Sequence, residues 1–269
     1  VGRTRPAGGL KPAGSGCGMG AGQGNVVVCD NTTVNLYKIL TYAWQSRKSG
    51  STILTEDGNF PTDLYVAQGL NHNHPDPPEV KVCKSRDELI DSFNTDTAIV
   101  YLSHADYRSG ECWNMADIND RAHAIDALTV WDLSHSTGAI PVDLTGDDAD
   151  FAVGCGYKYL SAGPGGSAYL WVNPRHAENG WPTICGWMGH QDVFAFATEY
   201  EPLSGAGRHA TGTPAVIANE IFSCAAQIWQ EVDEKHLWAK HKSLGDLTME
   251  LLEQECGSLG VTINTPREY

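Results

Sequence analysis

Lys158 stands in the run Asp150-Phe-Ala-Val-Gly-Cys-Gly-Tyr-Lys158-Tyr-Leu-Ser-Ala-Gly-Pro-Gly-Gly166, after a short apolar stretch and before a glycine-rich turn. An amine fixed at a strand end among aromatic and small residues loses solvation, which lowers its pKa and makes it a nucleophile towards carbonyls. Earlier in the chain the apolar run Leu128-Thr-Val-Trp131 ends in Asp132, with Leu-Ser-His135-Ser behind it. An aspartate ending one strand and a lysine ending a later one are the two fixed points that a pyridoxal phosphate site requires. The lysine supplies a Schiff-base amine and the aspartate a partner for the pyridinium nitrogen. Singly, each residue reads first as a surface lysine or a helix-capping aspartate; the pair with its flanks favours the site.

Such a pair needs a frame that brings strand ends together. From Asn25 onwards apolar runs alternate with helix-period segments. Strands are predicted over Asn25–Cys29, Thr52–Thr55, Val80–Cys83, Ala98–Leu102, Leu128–Trp131, Phe151–Cys155 and Ala168–Val172. Helices are predicted over Val34–Arg47 (with Leu36, Tyr37, Leu40 and Trp44 at helical spacing), Pro61–Leu70 and Met115–Ala127. Another runs from the capping box Ser85-Arg-Asp-Glu88 to about Phe93. The alternation predicts an α/β fold, a mostly parallel sheet with helices on both faces and right-handed crossovers. Ligands collect at the carboxyl ends of such strands, and Thr33, Ser103, Asp132 and Lys158 all follow strand ends.

Beyond residue 213 the pattern is helical, over Pro214–Val232 and Leu237–Glu255, and Val261–Asn264 reads as the first strand of a further unit. Three regions are expected: a flexible glycine-rich opening over 1–24, a cofactor-binding large domain over 25–232, and the beginning of a small C-terminal α+β domain over 233–269. The opening fits neither a dinucleotide nor a phosphate-loop pattern and lacks the apolar core of a signal peptide.

A hydrophobic content of 41% is that of a globular chain, and a net charge of −15 argues against nucleic acid or an anionic membrane as partner. No apolar stretch is long enough for a membrane span. The eight cysteines are spread singly with no Cys-x-x-Cys, and read as reduced, buried thiols of a cytoplasmic protein.

Further candidates cluster around the pair. The turn Asp30-Asn-Thr-Thr33 precedes a helix, so its amides and hydroxyls could bind a phosphate; a plain helix cap is the alternative. Phe60-Pro61-Thr62-Asp63 offers a flat ring followed by a carboxylate, or else a core phenylalanine and a capping aspartate. His135 could pack against Asp132 or against the cofactor.

Together, Phe60-Pro-Thr-Asp63, Trp131-Asp-Leu-Ser-His-Ser-Thr-Gly-Ala139 with Pro141-Val-Asp-Leu144, Asp150-Phe-Ala-Val-Gly-Cys-Gly-Tyr-Lys-Tyr-Leu160 and Gly186-Trp-Met-Gly-His190 resemble kynureninase. That is a pyridoxal phosphate family of the aspartate aminotransferase (fold type I) superfamily. The resemblance runs from about Asn25 to the end. It implies Lys158 as the Schiff-base lysine, Asp132 as the pyridinium partner, and Thr32, Thr33 and the Tyr157 hydroxyl as phosphate ligands. Phe60 would stack on the cofactor ring, next to Pro61 and Thr62, while Asp63, Ser103 and His135 complete the pocket. Trp187 and Thr213 match positions that reach across the interface of a homodimer.

The implied reaction is hydrolytic cleavage of the Cβ–Cγ bond of L-kynurenine to anthranilate and L-alanine, with Tyr157 a candidate acid; the 3-hydroxy substrate is equally open. The family chain is longer at both ends, and its substrate-carboxylate arginine falls beyond Tyr269. By itself the chain is therefore expected to bind cofactor weakly and turn over poorly. Two rivals stand beside this reading. One is a cysteine desulfurase of the same fold, which carries histidine where Tyr157 stands; the other is a catalytically impaired fragment.

Overall fold

The computed structural model describes residues 19–22 and 24–267. Its strands are β1 (Val26–Val28), β2 (Thr52–Glu56), β3 (Glu79–Cys83), β4 (Thr97–Ser103), β5 (Leu128–Asp132), β6 (Phe151–Cys155) and β7 (Ala168–Val172). The helices are α1 (Thr32–Ser46), α2 (Pro61–Asn73), α3 (Arg86–Asp91), α4 (Met115–His123), α5 (Val216–Trp229) and α6 (Glu234–Cys256). The strands form one 7-stranded sheet in the order β1-β7-β6-β5-β4-β2-β3. Strands β2 to β6 pair in parallel, as the alternation predicts, whereas β7 runs antiparallel to both β6 and β1. The reversal follows from the link between β6 and β7, which holds no helix that could carry the chain back for a parallel return.

Both faces of the sheet are covered, so β4, β5, β6 and β7 are buried along their whole length. Alternate residues divide between two cores. Ile99, Tyr101, Val130, Phe151 and Val153 meet Leu36, Ile39, Leu40 and Trp44 of α1 and Val66 and Leu70 of α2. Val100, Leu102, Trp131 and Ala152 meet Leu89, Met115, Ile118 and, from α5, Phe222 and Trp229. Tyr37, expected on the inner stripe of α1, lies at the surface. The Ser85 cap forms as the sequence suggests: its hydroxyl accepts from Glu88 N at 3.1 Å, and the Glu88 carboxylate accepts from Lys84 N at 2.7 Å.

Two expectations are corrected. Residues 261–264 form no strand, because an extended segment needs a neighbour for its backbone groups and no strand among the described residues lies beside it. Of the cysteines, Cys83 and Cys155 are buried but Cys185 and Cys224 are exposed; Cys17 lies outside the described residues. Most of the glycine-rich opening also lies outside them, yet its last part has structure. Met19 and Ala21 are buried, and Leu144 N donates to Met19 O at 2.9 Å. No helix among the described residues is long and apolar enough to cross a membrane.

The amino end of β6 is held by a charge cluster around Asp150, which is 1% exposed. Its carboxylate accepts from His123 Nε2 at 2.9 Å, His176 Nε2 at 2.6 Å, Arg175 Nε at 3.0 Å and Thr129 N at 2.8 Å. Burial alone would raise this carboxyl, but the hydrogen bonds from His123 and His176 and the Arg175 guanidinium outweigh it and hold the group well below the usual range. The hydrogen bond to Asp150 in turn raises His123. Asp150 therefore stabilises the fold above the unfolded carboxylate range near ~4 and loses that contribution as pH falls through its lower folded value. The His123 contribution is complete below ~6.5 and is lost as pH rises through its raised folded value. Asp150→Asn is expected to cost about 3 kcal/mol in urea unfolding near neutral pH, with the difference from wild type shrinking in acid.

Candidate active site

The sheet brings the expected residues to one edge. Register pairs Ser103 with Asp132 and Asp132 with Val153, so β4, β5 and β6 end side by side. Cys155, the last residue of β6, pairs with Ala168, the first of β7. Ala168 also binds the chain leading into α1: Cys29 N donates to Ala168 O and Ala168 N to Asp30 O, both at 3.0 Å. The start of α1, Ser103, Asp132 and the Lys158 loop thus share the carboxyl edge. The tight turn out of β6 depends on Gly156, where a Cβ would fall 2.4 Å from the Phe222 ring and 2.6 Å from Ser167 O.

Asp132 ends β5 almost fully buried, and its Oδ1 accepts from Ser134 N at 2.9 Å. No helix follows it to be capped. Asp63 is 1% exposed inside the first turn of α2 and accepts from Ser103 Oγ at 2.8 Å. Burial raises both carboxyls, and Asp63 is lifted further by the charge of Asp132. Two acids that resist ionising together leave a place for a cationic or proton-bearing partner.

Lys158 Nζ lies 2.6 Å from His135 Nε2 and donates to it in the tautomer that carries its proton on Nδ1. Burial, then the charge of Lys158, pushes His135 down to about 4, so the imidazole is neutral near pH 7 and able to accept. The ammonium sits 5.6 Å from the centre of the Phe60 ring and 5.9 Å from that of Tyr157. Phe60 is 40% exposed, which excludes the core-phenylalanine alternative. It meets Tyr107 edge-on at 5.3 Å and His135 at 6.3 Å. Pro61 and Thr62 open α2 and fix the spacing between the Phe60 ring and the Asp63 carboxylate.

Thr32 and Thr33 are the first residues of α1, capped by Asn31, whose side chain accepts from Val34 N at 3.0 Å. The first amides of a helix have no partner within it and favour an anion. Tyr157 is half exposed; burial first, then Cys155 and Asp132 nearby, push its phenol up, so it carries its proton at neutral pH. Trp187 and Thr213 are exposed, and among the described residues no hydrogen bond or ring contact joins either to Lys158. Their segments are nevertheless docked together: Met188 N donates to Thr211 O at 2.9 Å, and a Cβ on Gly186 would fall 2.2 Å from that oxygen.

Sequence reasoning missed Asn59 and Tyr107. Asn59 is buried, accepts from Ser103 N at 2.9 Å and donates to Thr55 Oγ1 at 3.0 Å, tying the Phe60 turn to the end of β4. Its place directly before Phe60 was the available signal. Tyr107 lies on an irregular loop where periodicity carries no information.

Residues 19–267 match the family described as aminotransferase class-V. The chain belongs to that family. It is 39% identical over 255 residues to a kynureninase from Pseudomonas fluorescens, an alignment covering 93% of this chain and 61% of that protein. It is 43% identical over 249 residues to a kynureninase from Deinococcus radiodurans, covering 92% and 60%. The chain thus spans about three fifths of the length of the curated relatives it matches. The likeness to kynureninases carried by the motifs extends over almost the whole chain.

Among solved structures, the fold is similar to the apo structure of a cysteine desulfurase from Thermococcus onnurineus NA1, with a TM-score of 0.75 at 18% identity over 91% of this chain and 60% of that one. A cysteine desulfurase from Escherichia coli gives 0.66 at 22%, covering 86% and 58%. These likenesses establish the large-domain fold of the type I pyridoxal phosphate proteins. Pyridoxal phosphate is the cofactor that goes with this membership. The residues fit it: a buried acid pair suits a protonated ring nitrogen, an amine stands beside aromatic rings, and a helix start lies on the same edge.

Proposed function

We propose that the site serves pyridoxal phosphate-dependent hydrolysis of L-kynurenine to anthranilate and L-alanine, a step of tryptophan breakdown in the cytoplasm. The 3-hydroxy substrate would give 3-hydroxyanthranilate. The observation that carries this reading is Lys158 held against neutral His135, beside the buried acids Asp132 and Asp63, in a chain whose relatives are kynureninases. Residues 25–232 form the cofactor-binding domain in this reading, and 233–269 begin a second. Trp187 and Thr213, exposed here, would complete the pocket of the partner in a homodimer.

When bound, pyridoxal phosphate supplies a ring that accepts the electron pair released at the substrate Cα. Asp132 would hold the proton on the ring nitrogen, and Asp63, fixed by Ser103, lies buried with it. Thr32, Thr33 and the Tyr157 hydroxyl hold the phosphate, and the Phe60 ring limits the cofactor face. Lys158 would hold the cofactor covalently, and its amine would be the group that moves the proton at the substrate Cα. His135 accepts from Lys158 Nζ and so fixes where that nitrogen stands on the loop after β6. Tyr157, protonated at neutral pH, would be the acid that gives a proton to the departing carbon.

The test is to incubate the chain with the cofactor and either L-kynurenine or L-cysteine, following anthranilate fluorescence and sulfide release. Anthranilate formation that depends on added cofactor supports the reading; sulfide without anthranilate refutes it in favour of a desulfurase. Tyr157→Phe is expected to lower kcat roughly 100-fold, the size of a lost general acid. Full turnover by that variant would remove the acid role from Tyr157.

A further inference from the structure

Lys38, on the inner face of α1, is buried with 0% exposure. An ammonium is tolerated there only if its hydrogens find acceptors. Its Nζ donates to Asp30 Oδ2 at 2.6 Å and to His209 O at 2.7 Å, and lies 3.5 Å from Cys29 Sγ. Burial pushes the Cys29 thiol up to about 11, so Asp30 is the anion that faces this cation.

Asp30 leads into the start of α1, and His209 leads towards Thr213, which the homodimer reading gives to the partner's pocket. Asp30 has φ of +47°, a left-handed conformation that costs energy for any residue but glycine, and it is the hinge between β1 and the Thr32–Thr33 start of α1. His209 leads through Thr211 towards Thr213, and Thr211 Oγ1 lies 3.5 Å from the second oxygen of Asp30. Thr211 O holds Met188, next to Trp187. The carbonyl of Lys38 itself accepts from Thr183 Oγ1 at 2.9 Å, which secures the approach to the Gly186 block. The buried amine therefore fastens two strips, at Asp30 and at His209, while the backbone carbonyl of the same residue holds a third at Thr183.

We propose that Lys38 is the positioning residue of the phosphate end of the site, setting the hinge at Asp30 and the Thr213 strip against the start of α1. Its charge is matched by Asp30, so it acts through geometry and does not itself neutralise the phosphate. This rests on the cofactor reading above and adds a residue and a role to it. Substituting Lys38 loosens the phosphate end and leaves Lys158, His135 and Asp132 in place.

The test compares pyridoxal phosphate with pyridoxal, which lacks the phosphate. Each is titrated into wild type, Lys38→Met and Asp30→Asn, fixed with borohydride, and the label on Lys158 is measured by peptide mass spectrometry. For Lys38→Met the half-saturating concentration of pyridoxal phosphate should rise at least ~10-fold while that of pyridoxal changes less than ~2-fold, in line with loss of a charge-assisted hydrogen bond. Equal loss for both compounds, or loss for neither, overturns the proposal. If Lys38→Met does not fold, Asp30→Asn decides: a selective loss of at least ~3-fold for pyridoxal phosphate supports it, and no selectivity overturns it. A wild-type chain that takes no label from either compound overturns the cofactor reading as well, whereas unselective variants beside a labelled wild type overturn this proposal alone.

Discussion

Lys158→Ala gives a folded chain that fixes no cofactor on borohydride reduction and cleaves kynurenine at least ~1,000-fold more slowly than wild type, the scale expected when a covalent catalyst is removed. The fold should survive, because Lys158 stands half-buried on the loop after β6 and its partner is one imidazole, not the core. A thermal scan within a few degrees of wild type checks this. The variant has a second signature at His135. Burial is the larger cause of its lowered pKa and the Lys158 charge the second, so removing the charge moves the imidazole part of the way up from about 4. An NMR titration of that ring reads the change. Retained labelling or turnover in Lys158→Ala would transfer the role to another lysine.

Asp132→Asn should make the cofactor-free chain more stable and the enzyme much poorer. Burial raises the folded pKa of Asp132, and Asp63 is raised by burial and by Asp132 together. A carboxyl raised on folding takes up protons as the chain folds, so stability declines as pH climbs from the unfolded range near ~4 through the folded value. The amide removes that penalty from Asp132 and relieves Asp63. Each 1 kcal/mol gained moves Tm up by about 2–4 °C for a chain of this size. Turnover should fall at least ~100-fold, since an amide cannot hold the ring nitrogen protonated. Stability sacrificed for a site of this kind is a common trade. A Tm lowered by the substitution, or wild-type turnover, would contradict the assignment.

Much of this was legible in the sequence because strand ends are local events. Asp132 and Lys158 each close a short apolar run, and a parallel sheet sends such ends to one edge, so the pair could be read before its geometry was known. The Thr32–Thr33 turn followed by the same logic. What escaped depends on tertiary contacts. Asn59 acts through a backbone amide of β4, Tyr107 through ring contacts from an irregular loop, and Lys38 through a carbonyl on a distant strip. A lysine inside an amphipathic helix gives no sign in sequence that it is buried. The antiparallel β7 was hidden for another reason: apolar runs mark strands but carry no direction. The segment 261–264 has strand-like residues without a strand beside it, and composition alone could not show that.

Lys158 is proposed as the amine that receives pyridoxal phosphate in a site built on Asp132. The direct measurement is to saturate the chain with cofactor, reduce with borohydride, and map the modified peptides. One dominant label is expected, on Lys158, lost in Lys158→Ala and weakened in Asp132→Asn. Label spread over surface lysines, or concentrated on any other lysine, would contradict it.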